Sequence, residues 1–379
     1  MKKTFSSFVG KGLRNFLSCE KLVDVSSRLN LPLIPPIIAS IKITNRCNSK
    51  CSYCDIWKSW KYEDLSLIDI ERLFGSLRKL GTKSITLGGG EPLIHSDLIQ
   101  MVSLAKSYGL RIHVLTNGVK LTREKTIELV EGGVSTINLS LDTRDSGIYR
   151  KHRGVSFKFA EQALASLLHA IEEYPNFCAV CTCVVTAYNI DRLVPLVQWI
   201  CEYGKGGILM NFQSYNPVPT LSYMLQDSTR QQLMESVAHC QDLPAVLRGD
   251  SNLAPNPLLK PVLIKQIDEL IQLKNSGFPI NNSAFYLKGI PDFLFDHKLP
   301  SNFECSAGYT SVFIGSDLKI SPCWRLPPIG DLHQEDIRDV WFSKRYQEQR
   351  KKMKHLRCPT CWLPCHNEPE WYRYFSQTD

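Results

Sequence analysis

No run of apolar residues in this chain approaches the roughly 18 needed to cross a bilayer, and the N-terminus lacks the uninterrupted apolar core of a secretory signal. A membrane-spanning protein and a secreted precursor are therefore set aside, and the cytoplasm is the expected location. Internal repeats and low-complexity tracts are also missing. The net charge of +8 is modest for the length and spread along the chain. No domain-scale basic stripe interleaved with aromatics accompanies it, so no nucleic-acid partner is expected, while phosphorylated or acidic substrates stay compatible.

What is present is ordinary globular material. At 379 residues, 43% hydrophobic and 22% charged, the chain can form one large domain and a smaller one. Its fourteen cysteines would suggest disulfides in a small secreted protein. In a large chain without a signal they point to reduced thiols and metal. Three sit in a tight group (Cys47, Cys51, Cys54), and five fall in the last quarter (Cys305, Cys323, Cys358, Cys361, Cys365). Cys178, Cys181, Cys183 and Cys201 lie in apolar patterns as expected core residues, and Cys19 and Cys240 are treated likewise.

Residues 1–36 form an N-terminal extension whose first twenty positions put Phe5, Phe8, Val9, Leu13, Phe16 and Leu17 on one helical face. Such a basic amphipathic helix can touch a membrane surface, but packing on the main domain is the commoner fate. From residue 37 to 215 strand and helix patterns alternate through six units, which predicts an α/β fold with a partial (β/α)6 parallel barrel and ligands at the C-terminal strand ends. Residues 216–302 read as a helical bridge, with helices at Ser228–Gln241 and Leu258–Leu273. Residues 303–379 read as a small cysteine-rich α+β domain with a hairpin and one basic helix, Asp336–Lys354.

Cys47, Cys51 and Cys54 follow the first strand in C-x3-C-x2-C spacing. Three thiolates on one loop can hold three irons of a cubane and leave the fourth open for a substrate. A zinc site with His95 or His113 as a further ligand answers to the same spacing. At the next strand end stands Gly88-Gly89-Gly90-Glu91-Pro92. A glycine-rich turn lets backbone approach a ligand, and Glu91 adds an acceptor suited to an ammonium group.

Together these residues resemble the radical SAM superfamily, marked by C-x3-C-x-aromatic-C, here with Tyr53, followed by a GGE-type motif. The resemblance spans about residues 37–215 and includes Leu115-Thr-Asn117-Gly118 and Leu139-Ser140-Leu-Asp142. It implies that Cys47, Cys51 and Cys54 bind a [4Fe–4S] cluster whose fourth iron is chelated by the methionyl group of S-adenosylmethionine. It further implies that Gly89, Gly90 and Glu91 contact the methionyl amine, with Asn117 alongside, Ser140 near the ribose and Asn211 near the adenine. In such enzymes one electron cleaves the sulfonium and releases a 5′-deoxyadenosyl radical that takes hydrogen from the substrate. An electron donor such as flavodoxin or ferredoxin is then expected.

The last cysteines resemble the SPASM or twitch extension, which carries auxiliary [4Fe–4S] clusters. Cys305 and Cys323, with two of Cys358, Cys361 and Cys365, would ligate one cluster, and structural zinc is the alternative. A glycine usual before the second cysteine is replaced around Leu318. Many SPASM enzymes modify ribosomally made peptides, while twitch versions also oxidise small molecules such as aminocyclitols. The expected function is oxidative peptide modification, with small-molecule or carbohydrate oxidation as the alternative and a non-catalytic iron–sulfur or zinc protein as a third. With about 36 residues before the first core strand, leader recognition would need a separate protein or direct docking. Tyr149-Arg-Lys-His-Arg153 reads as a solvated basic face, or else as a carboxylate or phosphate site. Trp324, Arg325, Trp362, Trp371 and Tyr372 read as local packing or a substrate border. No catalytic acid or base is assigned.

Overall fold

The structure, a computed structural model, describes residues 19–54, 56–58, 64–216, 253, 255–301, 303–358 and 361–364. Almost all of the N-terminal amphipathic segment, the helix expected at Ser228–Gln241, Cys240, Cys365, Trp371 and Tyr372 lie outside them.

A short helix α1 (Cys19–Leu29) precedes the first strand, β1 (Ile38–Thr44). The chain then runs α2 (Leu67–Leu80), β2 (Ser84–Gly89), α3 (Leu98–Ser107), β3 (Arg111–Thr116), α4 (Arg123–Gly132) and β4 (Val134–Ser140). Helices α5 (Ser146–Arg153) and α6 (Lys158–Glu173), strand β5 (Cys178–Val185), helix α7 (Leu193–Tyr203) and strand β6 (Ile208–Ser214) complete the series. These six strands are parallel in sequential order. The sheet does not close, as expected of a partial barrel.

Register divides the sheet into two unlike faces, because successive side chains in a strand point to opposite sides. One face carries Ile41, Leu87, Val114, Ile137, Cys181 and Met210, all essentially inaccessible and packed with Phe74, Met101, Leu129, Leu164 and Val197 from the helices. Cys181 and Cys183 thus take the core role expected of them, while Cys178 and Cys201 are half-buried. On the other face the ladder aligns Ser40 with Thr86, Thr86 with His113, His113 with Thr136, Ser140 with Thr182 and Thr182 with Asn211. The surface away from the helices is consequently rich in hydroxyl and amide groups.

Helices α8 (Lys260–Asn275) and α9 (Ala284–Asp296) follow. The sequence signalled no helix at α9, because Pro291 inside it is a residue that usually ends one. It forms because Ser283 accepts the Tyr286 N–H as an N-cap and Tyr286, Leu287, Ile290 and Phe293 bury one face. Residues 279–282 cover the β6 edge, with Met210 N–H donating to Pro279 O at 2.7 Å and Phe212 N–H donating to the Asn282 carboxamide oxygen.

The C-terminal segment is not detached from this sheet. After α10 (Ala307–Thr310), strand β7 (Ser311–Ile314) pairs parallel with β1, and β8 (Lys319–Ser321) and β9 (Gly330–Asp331) add antiparallel, making nine strands among the described residues. At the turn, Leu318 takes a left-handed φ of 56°. This is the conformation that favours glycine, and its buried side chain offsets the cost. The basic helix expected over Asp336–Lys354 is two, α11 (Ile337–Trp341) and α12 (Lys344–Lys354). Ser343 breaks it by capping the Tyr346 N–H, and Trp341 is pinned by its indole N–H to Ile34 O at 3.2 Å.

The two faces respond differently to truncation. Ile41→Ala, on the helix-covered face, is expected to cost about 2–5 kcal/mol, and Ser40→Ala, one residue away, less than about 1 kcal/mol. Urea midpoints of the two variants check the assignment, and equal losses would refute it.

Candidate metal centres

Strand β1 delivers the chain into the loop that carries Cys47, Cys51 and Cys54. Cys51 is buried and the other two are half-buried. Three contacts hold this loop. First, the turn after β2 docks on it backbone to backbone: Gly90 N–H donates to Thr44 O and Glu91 N–H to Arg46 O, both at 2.8 Å. A Cβ on Gly90 would stand 1.9 Å from Arg46 O, and one on Gly89 2.2 Å from Thr44 O. No side chain fits there, so the glycines serve the contact between the two loops, a role the motif alone did not reveal. Second, Asp64 accepts the Thr44 hydroxyl at 2.5 Å and pairs with Arg46.

The third contact comes from helix α5. Its terminal carbonyls receive the loop, with Ser52 N–H donating to His152 O at 2.9 Å, Lys50 N–H to Arg153 O at 3.3 Å, and the Cys51 thiol 3.9 Å from Arg153 O. The helix is placed by a buried carboxylate. Asp142 Oδ2 accepts from Arg153 Nε at 2.7 Å, from Tyr53 Oη at 3.1 Å and lies 3.2 Å from His152 Nδ1. Oδ1 accepts from Arg153 Nη2 at 2.9 Å and from Val184 N–H at 2.8 Å. Burial alone would raise the pKa of Asp142, but the Arg153 charge and the His152 hydrogen bond outweigh it and hold the carboxyl well below its usual range. The basic run is therefore not a solvated face. Tyr149, His152 and Arg153 are buried while Arg150 and Lys151 face solvent, and the carboxylate that Arg153 recognises belongs to the chain itself.

Glu91 lies fully buried at the C-terminal ends of β2 and β3. Its Oε1 accepts from the Thr116 hydroxyl at 2.7 Å and Leu93 N–H at 3.1 Å, and its Oε2 from Asn117 N–H at 2.7 Å. An ionised carboxylate offers about four acceptor positions, so one is left for a further donor. Burial nevertheless pushes its pKa up to about 7 in the chain alone, against the pull of those hydrogen bonds. The Asn117 amide turns to the cysteine loop, 3.8 Å from Cys47 Sγ and donating to Asn48 Oδ1 at 2.7 Å. Ser140 stands half-buried at the end of β4, across from Thr182. Asn211 donates to Thr182 Oγ1 at 3.3 Å, and its buried carboxamide oxygen has no partner among the described residues, an acceptor that suits a ligand N–H.

These surroundings fit a cluster with an open iron. Burial pushes the Cys47 thiol up to about 11, so in the chain alone it keeps its proton, and a bound metal would displace that proton. The histidines considered as zinc ligands are engaged or unsuited. His95 uses both ring nitrogens, on Leu65 O and Asp97 N–H at 3.1 Å each. His113 sits within β3, in the ladder between Thr86 and Thr136 and away from the strand end where the cysteine loop lies; burial lowers its pKa to about 3 and keeps it neutral.

Near α10 and α12 the structure brings Cys305, Cys323, Cys358 and Cys361 together. Burial raises all four thiols, and the charges of their neighbours raise Cys305, Cys323 and Cys358 further. The charge of Arg325 acts on three of them, Cys323, Cys358 and Cys361. Trp362 is packing: fully buried, it stacks on Tyr286 at 5.3 Å, donates to Tyr286 O at 2.8 Å and sits where a Cβ on Gly289 would be 2.6 Å away. It thereby anchors the segment that follows Cys361. Among the described residues, no three His, Cys, Asp or Glu side chains converge on the position of a single ion.

A family model described as the radical SAM superfamily matches residues 41–200, and one described as an iron–sulfur cluster-binding SPASM domain matches residues 305–366. The chain is 40% identical over 180 residues to 7,8-dihydro-6-hydroxymethylpterin dimethyltransferase of Methanocaldococcus jannaschii, covering 46% of this chain and 33% of that one. It is 38% identical over 120 residues to a probable GTP 3′,8-cyclase of Methanothermobacter marburgensis, covering 31% of this chain and 38% of that one. The matches thus span about a third of these relatives. Among solved structures, Streptococcus suis SuiB bound to S-adenosylmethionine superposes with a TM-score of 0.62 at 18% identity, covering 87% of this chain and 71% of that one. The protein anSMEcpe with bound AdoMet and a peptide gives a TM-score of 0.59 at 18% identity, covering 90% and 96%. At these identities the likeness is one of fold.

The clamp on the cysteine loop makes a direct prediction. Asp142→Asn leaves Arg153 buried without its counter-charge and is expected to cost about 3–5 kcal/mol, with less iron retained at the first loop. In the parent chain the stabilisation from Asp142 is complete above its unfolded pKa of about 3.9 and is lost as pH falls from there through the lower folded value. Urea titrations at about pH 7 and about pH 3, with iron counts, check both parts, and equal stability of the two proteins at neutral pH would refute the clamp. The loop so held lies inside the first matched segment and the four gathered thiols inside the second: the chain belongs to the radical SAM superfamily, binds [4Fe–4S] and S-adenosylmethionine, and carries a C-terminal SPASM domain.

Proposed function

We propose that this enzyme carries out oxidative modification of a ribosomally made peptide. Bound together, the cluster and S-adenosylmethionine supply a 5′-deoxyadenosyl radical able to take a hydrogen atom. The residues divide the remaining work. Cys47, Cys51 and Cys54 would hold three irons, Glu91 and the backbone of Gly89 and Gly90 would accept the N–H groups of the methionyl amine, and Ser140 and Asn211 would orient the nucleoside. Asn117 donates toward Cys47. Cys305, Cys323, Cys358 and Cys361 ligate one auxiliary cluster. The domain division at residues 37–215, 216–302 and 303–379, the cytoplasmic location and a ferredoxin- or flavodoxin-type donor belong to the same proposal, as does a separate leader-recognition protein.

One observation carries the peptide assignment. Beyond Ser140 and Asn211, the C-terminal half of the sheet face away from the helices presents Leu115, Asn138, Thr182, Val184 and Gln213 on β3 to β6, neutral hydroxyl, amide and aliphatic groups on a sheet that does not close, with the buried Lys42 on the same face of β1. Such chemistry matches a peptide backbone with uncharged side chains. A fold neighbour, SuiB, has been solved with its precursor peptide SuiA, which supports the same assignment. The names of the curated relatives, a pterin methyltransferase and a GTP cyclase, supply the competing class of small heterocyclic substrates.

Anaerobic reconstitution should yield about eight irons with matching sulfide per chain and 5′-deoxyadenosine on addition of dithionite. The Cys47→Ala/Cys51→Ala/Cys54→Ala variant should keep about four irons and lose cleavage altogether. Precursor peptides encoded beside the gene should lose mass in steps of two hydrogens, and turnover of a pterin or nucleotide with no peptide product would overturn the assignment. Glu91 adds a pH test. Its carboxyl is pushed up to about 7, and the ionised form is the stronger acceptor for the N–H groups of the methionyl amine. Affinity for S-adenosylmethionine should therefore rise as pH increases through about 7, while Glu91→Gln shows weaker binding without that rise, as measured by equilibrium titration of the reconstituted protein.

A further inference from the structure

Arg325 follows Cys323 by two residues and is 95% removed from solvent, with 5% exposure. Its Nε, Nη1 and Nη2 are all buried without a hydrogen-bond partner, and no carboxylate among the described residues pairs with it. Its guanidinium lies 5.4 Å from the Trp324 ring. Its positive charge acts on Cys323, Cys358 and Cys361, three of the four gathered thiols. The other buried arginines differ. Arg153 is paired with Asp142, and Arg350 donates to Gly308 O and Trp341 O at 2.7 and 2.8 Å while lying over the Trp341 and Tyr346 rings.

A buried guanidinium with no counter-charge and no acceptor is strongly unfavourable, and unmet donors add to the cost. The group able to answer all of these demands is the one the four thiols would hold. A cubane bound by four thiolates carries net negative charge, gains one more on reduction, and exposes sulfur atoms that accept N–H hydrogen bonds; such bonds and nearby charge set cluster potentials.

We propose that Arg325 is the counter-cation and sulfur hydrogen-bond donor of the auxiliary cluster, and that it raises that cluster's reduction potential. The proposal rests on the assignment of an iron–sulfur cluster to these cysteines and adds a direction of electron flow. By favouring the more negative, reduced state, Arg325 suits the site to accept an electron. A substrate radical that gives one electron to this site and one proton to solvent becomes a closed-shell product. The electron then leaves to a ferredoxin- or flavodoxin-class carrier.

The test uses the full-length chain reconstituted with both clusters, with the auxiliary signal assigned by its persistence in the Cys47→Ala/Cys51→Ala/Cys54→Ala variant. In an EPR-monitored redox titration, Arg325→Gln should shift the auxiliary reduction equilibrium at least tenfold toward the oxidised state, 59 mV for a one-electron couple. Arg325→Lys, which keeps charge but not the planar fork, should restore part of that shift. Gln, Lys and parent proteins of equal potential would overturn the proposal while leaving the cluster assignment intact. Zinc without sulfide at these cysteines would instead overturn the cluster assignment on which it rests. The parent protein decides the matter even where the variants fail to assemble. With isotopically labelled arginine nitrogen, pulsed EPR of its reduced auxiliary cluster should show hyperfine coupling to that nitrogen, and no coupling would overturn the proposal.

Discussion

Asp142 joins four parts of the molecule through one carboxylate. It ends the run of β4, takes the N–H of Val184 on β5, grips Arg153 and His152 on α5, and receives the hydroxyl of Tyr53 in the cysteine loop. The ionised form persists because five donors, two of them from the Arg153 guanidinium, surround it where water cannot reach, and removing that guanidinium would leave a charge unpaired in a poor solvent. The terminal carbonyls of α5 fall at the cysteine loop because Arg153 is drawn in. The geometry of the first metal site is thus set partly by a residue pair that touches no metal.

The sheet supplies the other constraint. A parallel array buried beneath helices on one face leaves the opposite face to solvent or ligand, and the period of two assigns every strand residue to one or the other. Strand β1 joins the two parts of this arrangement, with β2 on one side and β7 on the other. The first cysteine loop leaves its C-terminal end, while the hairpin that leads to Cys323 pairs along its far edge. The two thiol groups are therefore mounted on one continuous sheet, and the relation between the two sites is set by strand pairing and not by a flexible tether.

Most of the strands and helices of the (β/α)6 unit were legible in the sequence, because alternating apolar periods and turn residues are local signals. So were both cysteine groups and the GGE turn, since ligand chemistry shows in residue type and spacing. Helix α9 was hidden by Pro291, whose local preference is overridden by the packing of Tyr286, Leu287, Ile290 and Phe293. The break between α11 and α12 escaped notice because Ser343 caps a helix only where the chain has already turned. Arg153 and Arg325 looked like surface or packing residues, since a charge carries no mark of burial in one dimension.

By itself the sequence determined the class of chemistry: thiols at cluster spacing, a glycine-rich turn with an acidic residue, and a second cysteine group in the tail. Tertiary structure alone decided what Gly90, Arg153 and Arg325 do. Gly90 is needed because another loop's carbonyl occupies the space of its Cβ. Arg153 is neutralised by a carboxylate eleven residues away in the chain, and the charge of Arg325 is brought to bear on Cys323, Cys358 and Cys361, thiols gathered from distant segments. Spacing along the chain records which groups can bind a metal, but steric exclusion and desolvation depend on what lies across a few ångströms of space, which only the folded chain defines.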